Sequence, residues 1–244
     1  MPKIAKVTDA LEAVRDAGVK FRQNATWWRG HGSREWKLAP SAMRPPIQPR
    51  REANLLFHFT KLAPVRHAGC PESNQLDRWL FLAQHYGLPT RLLDWTESPL
   101  TALFFAVWDT KWDHIDGELW GLNPTGVNML NGAATIHGAG HRDVVPLVSS
   151  AFRLDAPPVD KVFSVRAEHV DSRMLIQQSA FTIHGSPKPL EEYERANDFT
   201  VRYVVDAASK AAIRGALDML GISQSRLFPD LEHLAWELAD RMWT

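Results

Sequence analysis

Six polar residues able to do chemistry crowd into one stretch of the chain: Gln84, His85, Thr90, Arg91, Asp94 and Thr96, bracketed by apolar runs. A histidine can move a proton near neutral pH. An aspartate can stabilise a growing positive charge. An arginine can grip a carboxylate or a phosphate through two parallel N–H groups. Arg29, set between Trp28 and Gly30, and the Gln177-Gln178 pair are of the same interest. Each also has a structural reading. Arg91 and Asp94 could simply bridge each other across a turn, and Arg29 could sit in an ordinary ion pair. His85 could cap helix carbonyls, and Thr90 and Thr96 could bond turn backbone.

The elements that position these residues can be read from spacing. Leu76, Trp79, Leu80 and Ala83 recur every three or four residues, which predicts a helix leading into the stretch. Gly87 suits its end, and Pro89 prevents resumption. Thr90 to Trp95 reads as extended. Ser98-Pro99 restarts a helix, with Ser98 as N-cap and Pro99 in the first turn, and Leu100, Leu103, Phe104 and Val107 give its buried stripe. The polar residues are therefore held on a turn wedged between two core helices.

Around this centre, Val7 to Gln23 reads as a helix capped by Thr8, with Leu11, Val14 and Val19 inward. Thr26 to Gly30 is a short strand. Pro45, Pro46 and Pro49 with Arg50 and Arg51 form a rigid basic connector before a helix from Glu52 to Leu62. Gly117 to Leu122 is a strand. Asn123 to Gly140 is irregular and suits a flexible flap over a site. Val159 to Val165, Met174 to Gln178, Ala180 to His184 and Phe199 to Val205 read as extended, which would put Gln177 and Gln178 on opposite faces. Lys210 to Leu220 is helical. Leu231, Leu234, Ala235, Leu238 and Met242 repeat at helical spacing in a last helix, where Asp230 favours the positive dipole end.

The 244 residues carry no net formal charge, so a broad nucleic-acid-binding face is not favoured. Cys70 is the single cysteine, which excludes disulfides and a cysteine zinc site. The absence of a leader-like segment or a run of roughly 20 apolar residues predicts a cytoplasmic chain with no membrane partner. His137 and His141 are four apart, but Gly138 and Gly140 argue against the helix that would align them, so no metal is expected. The economical fold is a single α+β domain: a small mixed or antiparallel sheet flanked by helices.

Trp28-Arg29-Gly30, the Gln84–Thr96 run, Gln177-Gln178 with Phe181, and Leu227-Phe228-Pro229-Asp230 together resemble the FRG domain family, with residues 1–25 as an N-terminal helical segment packed on a domain spanning 26–244. A more distant resemblance is to arginine-type ADP-ribosyltransferases. Trp28-Arg29-Gly30 is similar to their aromatic-Arg-Gly strand. Asp94 to Ser98, followed by Ala102 and Phe105, is similar to their second strand and helix. The resemblance implies an ADP-ribosyltransferase-like fold and NAD as ligand. It implies Arg29, Gly30, Tyr86, Arg91, Thr96 and Gln177 as binding residues, and Asp94, His85 and Gln178 as catalytic ones. A protein or nucleic-acid acceptor and a bacterial or phage defence or toxin setting would follow. The sequence departs from the transferase pattern where glutamine stands in the slot of the catalytic glutamate. Two alternatives stay open: a nucleotide or nucleic-acid binding module without chemistry, and a metal-dependent nuclease built on Asp94, Glu97 and His85.

Overall fold

A computed structural model describes residues 2–46, 49–167 and 172–243. In chain order the strands are β1 (Lys3–Ile4), β2 (Trp27–His31), β3 (Leu92–Thr96), β4 (Gly117–Leu122), β5 (His137–Gly138), β6 (Val162–Arg166), β7 (Ser179–His184) and β8 (Thr200–Val205). The helices are α1 (Val7–Lys20), α2 (Pro49–Leu62), α3 (Leu76–His85), α4 (Pro99–Val107), α5 (Pro124–Met129), α6 (Val145–Ala151), α7 (Ser172–Ile176), α8 (Ala196–Phe199), α9 (Lys210–Met219), α10 (Gln224–Leu227) and α11 (Leu231–Trp243). The strands form one mixed sheet in the order β1-β8-β4-β2-β3-β7-β6-β5, antiparallel except at its two edge pairs. It is larger than the small sheet expected, because the two-residue strands β1 and β5, too short to carry a pattern, extend both edges. The architecture is α+β.

Three apolar clusters hold the sheet. One joins α1, α4 and α9 to β4 and β8; a second joins α2, α3 and α6 to β6 and β7; a third lies around Trp27, Trp95 and Trp120. The inner face of α1 is Ala10, Ala13 and Ala17, while Leu11 and Val19 are exposed. Small residues let α1 approach α4 closely, so size is a poor guide to the buried face here. Thr8 is not the N-cap. Lys6 occupies that position, and the Asp9 carboxylate accepts the Ala5 and Lys6 backbone N–H groups at 2.9 and 3.1 Å. The helix stops at Lys20 because Arg22 and Gln23 turn to positive φ.

The expected proline connector falls partly on residues 47 and 48, outside the described residues, and from Pro49 the chain is already helical. Leu62 of α2 is exposed. Met174 to Gln178 is not a strand: α7 covers its first half, and Gln178 sits in a turn at φ 48°. Residues 123–140 are not a flap. α5 packs under β6, and the buried Asn128 side chain bonds the Ser164 backbone from both ends. The periodic Leu231, Leu234, Leu238 and Met242 of α11 are exposed. No helix among the described residues is long and apolar enough to cross a membrane.

Candidate functional site

The site begins as a fork in the sheet. β2 is fully paired with β4, and β3 with β7, but β2 and β3 meet only at Trp28 and Thr96. Beyond that point they part. Arg29 spans the gap, its Nη1–H donating to the Asp94 carbonyl at 2.6 Å. Gly30 is required beside it, since a Cβ there would lie 1.9 Å from the Ala102 carbonyl oxygen on α4. Its role is thus to let α4 press against β2, although it also forms part of the cleft wall.

The local order around the fork follows from chain punctuation. α3 ends with Gly87 at φ 78°, and the Gly87 and Leu88 N–H groups return to Gln84 and Ala83, the paired bonds of a Schellman cap. Ser98 caps α4 by accepting the Thr101 N–H at 3.2 Å. Between the caps, the Thr90 hydroxyl donates to Gln84 Oε1 at 2.6 Å, and Gln84 Nε2 donates to Asp94 Oδ2 at 2.7 Å. This relay fixes the Asp94 carboxylate at the cleft mouth. The Thr96 hydroxyl donates to the Gln177 carbonyl at 2.6 Å and accepts the Ser98 N–H.

The resulting cleft has a volume of about 380 Å³, within the range of small-molecule sites. Arg29, Gly30, Asp94, Thr96 and Gln177 share its wall, with Trp28, Trp36, Phe105 and Trp108 as the aromatic surface. Among the described residues, Asp94 is the only carboxylate in that lining. Arg29 is half-buried and touches two neutral acceptors, the Asp94 carbonyl and His31 Nε2, the latter at 3.0 Å. Burial first, then the nearby Arg44, pulls the Arg29 guanidinium down to about 10 against the opposing pull of Asp94, which leaves it charged at neutral pH.

Two buried histidines stand near Arg29. Since Arg29 Nε–H donates to His31 Nε2, that nitrogen is unprotonated. Burial, with Arg29 and Arg44 nearby, holds His31 well below the ordinary imidazole range. The Trp95 indole N–H donates to the Thr182 hydroxyl at 3.1 Å, and that hydroxyl shares a hydrogen bond with His184 Nε2 at 2.9 Å. Burial, aided by the charge of Arg29, lowers His184 to about 3. Both are therefore neutral. Two positions apart on a strand, Arg29 and His31 share a face, a signal the sequence contained; nothing in the sequence singled out His184.

Several expected residues lie elsewhere. Arg91 is not a ligand contact. It is 6 % exposed and forks onto the buried Glu52 through Nε and Nη2 at 3.0 and 2.8 Å, while Nη1 reaches the Leu147 carbonyl at 3.0 Å and the Ser150 hydroxyl at 2.5 Å. The Arg91–Asp94 bridge is therefore absent. His85 borders a small adjoining depression with Asp94 and Gln177 rather than the main cleft. Tyr86 is exposed on the outer rim, its ring edge-on to His85 and His67. Gln178 is exposed and outside the cleft; its carbonyl accepts the Glu97 N–H. Gln177 reaches the cleft, but its Nε2 donates to the Leu227 carbonyl at 3.0 Å. Asp230 caps α11 by accepting the His233 N–H at 2.9 Å.

Fold and site together define an α+β domain whose central sheet forks around an arginine to make an aromatic, cationic cleft with Asp94 at its mouth. Residues 24–114, from the lead into β2 to a few residues past the end of α4, match the family model of the FRG domain. Comparison with curated proteins and with solved structures returned no match.

Proposed function

We propose that the cleft binds a nucleotide through Arg29, that NAD is its ligand, and that Asp94 gives it ADP-ribosyltransferase-like chemistry. The observation that carries this reading is Arg29 itself: a half-buried cation that donates to two neutral acceptors, facing a cleft of aromatic rings. Such a group leaves N–H donors and a full charge for a phosphate. Trp28, Trp36, Phe105 and Trp108 offer faces on which a base or a nicotinamide can stack. When bound, NAD supplies a glycosidic C–N bond whose breaking builds positive charge on the ribose. Asp94, held by Gln84, offers the nearby negative charge that such a transition state needs. His85 and the Gln177 backbone border the same carboxylate and would shape the ribose end.

A second reading is favoured by one observation. In the transferase resemblance the Gln177-Gln178 pair takes the slot of the glutamate; Gln178 lies outside the cleft, and the Gln177 side chain is already committed to the Leu227 carbonyl. The domain would then bind a nucleotide, or a nucleotide within a nucleic acid, without chemistry. One experiment separates the two. The protein is incubated with nicotinamide-labelled NAD, with and without cell lysate as a source of acceptor, alongside Asp94→Asn. Release of nicotinamide by the wild type, lost in the variant, supports the transferase. Binding without release supports the module, and neither binding nor release rejects both. In a defence or toxin setting, expression slows growth and Arg29 or Asp94 substitution relieves it.

A further inference from the structure

The outer edge of the sheet, away from the cleft, gathers three potential metal donors that nothing above uses. His137 lies on β5, paired to Val165 of β6. A turn closed by the His141 N–H to the Gly138 carbonyl at 3.0 Å brings His141 back over it. The two imidazoles stack with centroids 3.8 Å apart and an interplanar angle of 3°. One nitrogen from each, together with an Asp143 oxygen, lie within 4.8 Å of one another. Gly138 and Gly140 argue against a helix, and a turn rather than a helix brings the two rings together.

We propose that His137, His141 and Asp143 form a binding site for a divalent transition-metal ion, zinc being the best fit. One observation points to a ligand independently of the cluster's composition. His137 is only 8 % exposed, yet its Nε2 has no hydrogen-bond partner, and a buried nitrogen without one is costly. The cluster is also mixed: two imidazoles and one carboxylate are the donor set of open zinc sites, where water takes the remaining position. Calcium and magnesium prefer oxygen donors. Parallel stacking sets the ring nitrogens side by side rather than convergent, so one ring must turn. His141 is the partly exposed ring; its Nδ1 accepts the Asp143 N–H at 3.3 Å and lies 3.6 Å from the Asp143 carboxylate, so turning it gives up one long hydrogen bond, whereas His137 packs against Phe163. Metal would then fasten the two-residue edge strand β5 to the turn that leads into α6.

The test uses tag-free, EDTA-stripped protein, with Co²⁺ absorption as the probe of ligand geometry and thermal melting under Zn²⁺ as the probe of affinity. The wild type is expected to show saturable Co²⁺ ligand-field bands, and a melting temperature raised by about 5–10 °C at free zinc near 100 times Kd. His141→Ala and Asp143→Asn, both away from the core, should match the wild type in EDTA and lose the bands and the shift. No saturable binding by the wild type, or equal binding by the His141→Ala variant, overturns the site.

Discussion

Arg91 is where chemistry-bearing type and structural role diverge, and the pair it makes with Glu52 can be tested quantitatively. Glu52 is fully buried on α2 and Arg91 nearly so at the entry to β3. The carboxylate also accepts the Arg91 backbone N–H at 2.7 Å. Removing one member leaves the other charged and unpaired in a dry interior, which costs about 3–5 kcal/mol. Arg91→Met should therefore lower the melting temperature by roughly 6–20 °C for a chain of this size. Adding Glu52→Gln removes the stranded charge while keeping an oxygen for the backbone N–H, so the double variant should recover at least half of the loss. Urea unfolding followed by tryptophan fluorescence measures all three proteins. If Arg91→Met unfolds like the wild type but binds nucleotide poorly, the structural assignment is wrong and Arg91 is a ligand contact after all.

Other outcomes follow from the same geometry. Gly30→Ala places a Cβ 1.9 Å from the Ala102 oxygen and 2.6 Å from the Ala106 nitrogen; separating α4 from β2 should cost more than the usual 1–3 kcal/mol of overpacking, read as lost soluble yield or a much lower melting temperature. A melt near that of the wild type would show that α4 can slide. The lowered value of His184, about 3 against an ordinary 6.5, means that below pH 6.5 the unfolded chain takes up a proton that the folded one refuses. Stability is then fully present above pH 6.5 and falls as pH drops towards 3, by about 2 kcal/mol for this residue at pH 5. The difference in unfolding free energy between pH 7 and pH 5 should shrink by that amount in His184→Leu; an unchanged difference would show that His184 titrates normally.

Local signals were the legible ones. Gly87, Pro89 and Ser98-Pro99 fix the ends of α3 and α4 through bonds made within a few residues, and the structure keeps each of them. Arg29, the pair Asp94 and Thr96, and Gln177, far apart along the chain, come together in one cleft. What the sequence hid depends on distance or on ambiguity. Glu52 stands 39 positions from Arg91 and on another element, so nothing near Arg91 announces its partner, and Asp94 is the false candidate close at hand. Met174 to Gln178 is short, apolar in its first three residues and free of breakers, a pattern that suits a strand and a helical turn equally well. In α1, alanines rather than larger apolar residues face the core, because closeness to α4 selects for small side chains. The fork between β2 and β3 has no sequence signature, since it arises from how many backbone pairs two strands fail to make.

The proposed function rests on Arg29 offering its charge to a nucleotide phosphate. Titration calorimetry of NAD into the wild type and into Arg29→Ala, each first shown to melt within a few degrees of the other, tests it most directly. Hydrogen bonds to a charged group contribute about 1.5–3 kcal/mol, so the variant should bind at least about tenfold more weakly with its fold intact. Equal affinity in the two proteins, or no NAD binding by the wild type, would contradict it.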